Sequence, residues 1–142
     1  MTTQVGAAFA RAALALVGTP FRLHGRNPAS GLDCVGLVAS ALAIVGREPI
    51  APVGYRLRAL SVAPLLDFAA RNGFVAAHEP AWPGDLLLVH PSPLQAHLVI
   101  LTASGFVHAH AGLGRVVHEP HRMSVPWPWP VAARWRLTES PT

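Results

Sequence analysis

From Cys34 to Val45 the chain is apolar on nearly every side, and the run closes at Gly46. A helix without a polar face is a buried one, so the rest of the sequence has to wrap around this segment. Asp33 stands immediately ahead of it, placed as an N-cap whose carboxylate accepts from the first free amides. Cys34 then occupies the first turn of a central helix. Exposed amides and the helix dipole stabilise negative charge there and lower a thiol pKa from its free value of about 8.5. A packing role has equal standing on position alone, because free cysteine is commonly buried.

The flanking segments set the fold class. Val5, Phe9, Ala12 and Leu16 fall on one helical face, with Thr2 or Thr3 as cap and Gly18 and Pro20 as stop. Phe21 to Leu32, holding Gly25, Pro28 and Gly31, reads as a loop. A further helix is expected over about Val62 to Arg71, with Ser61 as cap, Pro64 in the first turn and Asn72-Gly73 as stop. From Gly84 onward the pattern changes. Leu86–Val89, His97–Leu101, Gly105–His110, Arg115–His118 and Val131–Leu137 are short strand-like runs separated by Pro, Gly, Ser or Ala-Gly turns, so successive strands should be antiparallel. Helices first and strands second predict one α+β domain over residues 1–142, with the central helix packed on the sheet.

Composition excludes several classes. With 51% hydrophobic and 13% charged residues the chain is expected to fold rather than stay disordered. All basic residues are arginine, scattered from Arg11 to Arg136 without a run or stripe, which argues against nucleic acid as a partner despite the net charge of +4. One cysteine permits no internal disulfide. No apolar run reaches the ~18 residues of a membrane span. The alanine-rich start lacks a basic n-region and is interrupted by Arg11, so it reads as a helix and not a signal peptide, and a cytoplasmic site of synthesis is expected.

The histidines carry the chemistry. His97 opens its strand and can lean over the sheet edge toward a helix terminus. His108 lies on the next strand, and a hairpin turning near Ala103-Ser104-Gly105 brings the two together. Thiol, imidazole and a second polar group follow the nucleophile, base and orienter logic of catalytic triads. His108 and His110 face one way and, with His90, His97, His118 and His121, raise the question of zinc, but no firm third and fourth ligand falls at a standard spacing. No metal or organic cofactor is expected. Asp85 reads as turn chemistry ahead of a strand, and Trp127 and Trp129 as a C-terminal lid over the core.

Gly18–Val38 (GTPFRLHGRNPASGLDCVGLV) resembles the nucleophile motif of the NlpC/P60 cysteine peptidases. Trp82–Leu88 (WPGDLLL) is similar to the strand motif that precedes their histidine, and His97–Leu101 (HLVIL) and Phe106–Ala109 (FVHA) to their base and third-residue motifs, in the family's order. With His24-Gly25-Arg26 before the cysteine, the chain looks most like members from phage tail and gene-transfer-agent clusters.

The resemblance implies a papain-like α+β fold and hydrolysis of peptidoglycan stem peptides, often at the D-γ-glutamyl bond to a diamino acid. By motif it makes Cys34 the nucleophile, His97 the general base, His108 the orienting residue and Asp33 a contact to the substrate's free amine. Phe21 stands where many relatives carry a tyrosine that helps hold substrate or oxyanion, and Val35 replaces a frequent serine. The implied partners are the stem peptide and proteins of a tail tip or baseplate, in a phage-like particle. Two other readings stand beside this one: a structural tail-tip subunit that keeps the fold with little activity, and the same thiol chemistry serving acyl transfer or amidase action on another substrate.

Overall fold

The central helix is where the apolar run places it. The computed structural model describes residues 3–52, 54–58, 61–122 and 125–139, and in it α1 spans Gln4–Ala15 and α2 spans Cys34–Ile44. Thr3 caps α1, its hydroxyl accepting from the Gly6 amide at 2.9 Å, while Thr2 lies outside the described residues. In α2 the side chains of Val35, Leu37, Val38 and Leu42 are wholly buried, each contributing about 1.5–3 kcal/mol relative to an exposed position. α3, Ala63–Arg71, begins with Pro64 in its first turn and a Ser61 hydroxyl accepting from the Ala63 amide at 3.3 Å.

The segment expected to be a loop before Cys34 contains a small hairpin. β1 (Arg26–Asn27) pairs antiparallel with β2 (Gly31–Leu32). Its turn is tied by the Asn27 side chain, which accepts from the Ala29 amide at 3.0 Å. The hairpin packs on α2 at almost zero clearance: a Cβ on Gly36 would sit 2.0 Å from the Gly25 carbonyl oxygen, and one on Gly25 would sit 2.1 Å from that of Gly31. Three backbones meet here because neither glycine has a side chain.

The remaining strands are β3 (Phe74–Ala76), β4 (Leu86–Ser92), β5 (Gln95–Leu101), β6 (Gly105–His110), β7 (Arg115–Pro120) and β8 (Val131–Leu137). They form one antiparallel sheet in the order β3-β8-β4-β5-β6-β7. Both faces of its centre are covered, so β4 and β5 read as continuous apolar runs. Leu86, Leu88, Leu98 and Ile100 join the core under the helices. Leu87, Val89, Val99, Leu101 and Phe106 form a second cluster closed by Trp127 and Trp129. The two tryptophans therefore do act as a lid, on the sheet face away from the helical core. Asp85 is buried at the foot of β4, where it accepts from the Trp82 amide at 2.9 Å and receives both Nε and Nη2 of Arg136 at 2.8 Å. The turn residue is thus also a clamp between β4 and β8, with the guanidinium lying 3.7 Å over the Trp82 ring. Among the described residues no helix is long and apolar enough to cross a membrane.

Candidate active site

Asp33 works as an N-cap and as more. One carboxylate oxygen accepts from the Gly36 amide at 2.8 Å. The other accepts from the His24 amide at 2.8 Å and from the Tyr55 hydroxyl. The carboxylate is fully enclosed and holds α2, the hairpin loop and the 55–58 segment at one point. His24, at φ +59, is fixed in this uncommon conformation from both ends, by its amide on Asp33 and by Nε2 donating to the Tyr55 carbonyl at 3.0 Å. The segment continues across the sheet end, where the Leu57 carbonyl accepts from the Ala96 amide at 2.7 Å and Arg58 bridges to Gln95.

These attachments wall a cavity of about 620 Å3 lined by Cys34, His97, His108, Phe21, His24 and Tyr55, among others. The expected nucleophile, base and orienter therefore open into one space. Asp33 lies beneath that space and does not line it, its oxygens already occupied by three donors. Val35 is wholly buried in the helical core, so the departure from serine at this position alters packing and not the cavity wall. Phe21 is at the wall, as its motif position implies, and brings no hydroxyl.

Cys34 is only 1% exposed, and this reverses the expectation drawn from its helix position. Burial first, and then the Asp33 charge, push its thiol up to about 12, against backbone hydrogen bonds from Leu98, Val35 and Cys34 itself that pull the other way. Loss of hydration outweighs the helix terminus. The Leu98 contact brings the sulfur to β5, at the residue that follows His97 in the chain. His97, opposite Val89 on β4, is held down to about 3 by burial, with the neighbouring His108 and His110 adding to the shift. At neutral pH the resting pair is a thiol and a neutral imidazole.

The imidazoles form a chain. His97 Nε2 lies 2.8 Å from His108 Nδ1, and His108 Nε2 lies 2.9 Å from Glu119 Oε1. Phe106 and Trp129 pack around the His108 ring at centroid distances of 5.1 and 5.9 Å. His110 stands 5.5 Å from His108, but among the described residues no group of three or more His, Cys, Asp or Glu is placed to hold a metal ion.

Sequence reasoning missed Tyr55, His24 as a wall residue, and Glu119. Tyr55 sits in a stretch that reads only as a connector. Glu119 lies one residue past the expected end of its strand; the observed register pairs Phe106 with Glu119 and His108 with Val117. Extending the hairpin by one pair would have put Glu119 diagonally beside His108 on the same face.

By sequence the chain matches no family model and no curated protein. By structure it matches NlpC1 from Trichomonas vaginalis (TM-score 0.64, 17% identity, 96% of this chain and 45% of that one). It also matches the peptidoglycan hydrolase RipB from Mycobacterium tuberculosis (0.63, 24%, 96% and 66%) and the NlpC/p60 domain of the peptidoglycan hydrolase SagA (0.55, 26%, 81% and 88%). The chain spans less than half the length of the Trichomonas protein. A helix bearing a buried cysteine, packed on an antiparallel sheet that carries two bonded histidines, is thus the papain-like α+β fold of NlpC/P60 domains.

Proposed function

We propose that this chain is a peptidoglycan endopeptidase in which Cys34 attacks an amide carbonyl of a wall stem peptide. The observation that carries the reading is the opening of Cys34, His97 and His108 into one cavity, with the two imidazoles bonded at 2.8 Å. His97 spends Nε2 on His108, which leaves Nδ1 as its free ring nitrogen. The Cys34 proton passes to that nitrogen as sulfur bonds to the carbonyl carbon. The imidazolium then protonates the departing amine as the C–N bond breaks, leaving a thioester on Cys34. Water, giving its proton to His97, releases the acid and restores the thiol.

The cavity suits such a substrate. Among the described residues lining it none is acidic, and Arg56 and Arg58 are its charged members, so carboxylates of a stem peptide meet positive charge and apolar wall. The D-γ-glutamyl bond to a diamino acid is the bond proposed, on the motif resemblance. A contact between Asp33 and the substrate's amine requires the Tyr55 hydroxyl to give way. The resemblance to tail-borne members supplies the setting in which such an enzyme would reach the wall, at the tip of a phage-like tail.

Defined stem peptides incubated with wild-type protein and with Cys34→Ala, followed by mass identification of products, test the reading. Cleavage by wild type and none by the variant is expected. Intact peptide in both samples would favour the structural-subunit reading, and cleavage surviving in Cys34→Ala would remove the thiol from the mechanism.

A further inference from the structure

The hydrogen-bond chain does not end at the second histidine. We propose that Glu119 is a positioning residue that fixes the protonation pattern of both imidazoles and so makes His97 Nδ1 the basic atom facing the thiol. The inference rests on the reading of His97 as the base and extends it one residue beyond the triad.

The argument is one of donors and acceptors. An ionised carboxylate only accepts, so the 2.9 Å contact between Glu119 Oε1 and His108 Nε2 requires a proton on that nitrogen. A neutral imidazole with a proton on Nε2 has a bare Nδ1, and burial lowers the pKa of His108, which keeps the ring neutral. The 2.8 Å contact from His108 Nδ1 to His97 Nε2 then requires the proton to sit on His97. Burial keeps His97 neutral as well, so its own Nδ1 carries the lone pair. Without Glu119 nothing selects the direction of this chain. The reversed pattern, with a proton on His108 Nδ1 and another on His97 Nδ1, has an equal number of bonds between the rings and presents the thiol with a donor in place of a base.

The surroundings of His108 leave this task to Glu119. Among the described residues, the other rings packed near it are those of His97, His110, Phe106 and Trp129; none of these is an anion. The His108 side chain is 4% exposed and that of Glu119 is 42% exposed, so the carboxylate stands at the solvent end of a chain whose other members are buried. Its charge also offsets the imidazolium formed when the thiol gives up its proton.

Nitrogen-15 spectra of the imidazoles, recorded at neutral pH on substrate-free wild type, Glu119→Gln and Glu119→Ala, test the proposal without reference to turnover. Wild type should show both rings neutral with the proton on Nε2. Glu119→Ala should show mixed forms at His97, and alkylation of Cys34 by iodoacetamide should slow by roughly tenfold, well short of the ~10⁴-fold cost of disturbing the orienter in a serine triad. Glu119→Gln, whose amide can accept from His108 Nε2 or donate to it, should fall between wild type and Glu119→Ala in both readouts. A proton on His97 Nδ1 in wild type, or wild-type spectra in Glu119→Ala, would overturn the assignment. If the spectra come out as expected while no stem peptide is cleaved, Glu119 keeps its role and the reaction assigned to the site is what fails.

Discussion

Burial acts on Cys34 and His97 in opposite senses and arrives at the same result, a neutral pair. The thiol rises to about 12 and the imidazole falls to about 3, because each charged form would lose its hydration. These shifts link protonation to stability. Between pH 6.5 and 3 the unfolded chain takes up a proton at His97 that the folded chain refuses, so the stabilisation present above 6.5 is lost on acidification, by about 1.4 kcal/mol per pH unit. Above pH 9 the unfolded chain releases the Cys34 proton while the folded chain retains it, so stability falls again as pH rises toward 12. Urea unfolding across pH should therefore show a dome, with a shallower acid limb in His97→Gln and a shallower alkaline limb in Cys34→Ala. Limbs unchanged in both variants would mean that neither group is held neutral by the fold. The sequence pattern points to the sulfur and both imidazoles, which line one cavity, but it could not supply the sign of the thiol shift. Depth below the surface depends on the 55–58 segment and the hairpin, which come from other parts of the chain.

At the scale of elements, the start of α2 depends on a contact that has no side chain in it. Gly36 admits the Gly25 carbonyl at a distance no Cβ tolerates, and the hairpin so seated delivers the His24 amide to Asp33. Gly36→Ala should push the hairpin off α2 and cost about 1–3 kcal/mol, with a loss of Cys34 reactivity larger than the stability change alone explains. A melt and an alkylation rate indistinguishable from wild type would show that the contact is slack. The long elements were legible because their patterns are strong: α2 by its apolar circumference, β4 to β6 by short apolar runs between turns. The β1–β2 hairpin and β3 were not, since strands of two and three residues carry too little alternation to register. β3 is paired by β8, remote in sequence, and the hairpin is seated by the close glycine contact with α2.

Taken as a whole, the molecule places its chemistry where three separate constructions meet. The proposed nucleophile comes from a helix start capped by Asp33, the imidazoles from β5 and β6, and the outer wall from a connector stitched to both by Tyr55 and Leu57. The NlpC/P60-like fold explains the meeting of helix and sheet. The apolar cluster on the sheet face away from the helical core, closed by Trp127 and Trp129, packs Phe106 and Trp129 against the His108 ring. Trp129 also lines the cavity, so the C-terminal lid and the site share a residue. The most direct test of the central claim is an acid quench of wild-type protein during reaction with a stem peptide, followed by mass mapping of Cys34. The account predicts the acyl half of the substrate on Cys34 as a thioester. Released product with Cys34 unmodified at every time sampled would contradict it.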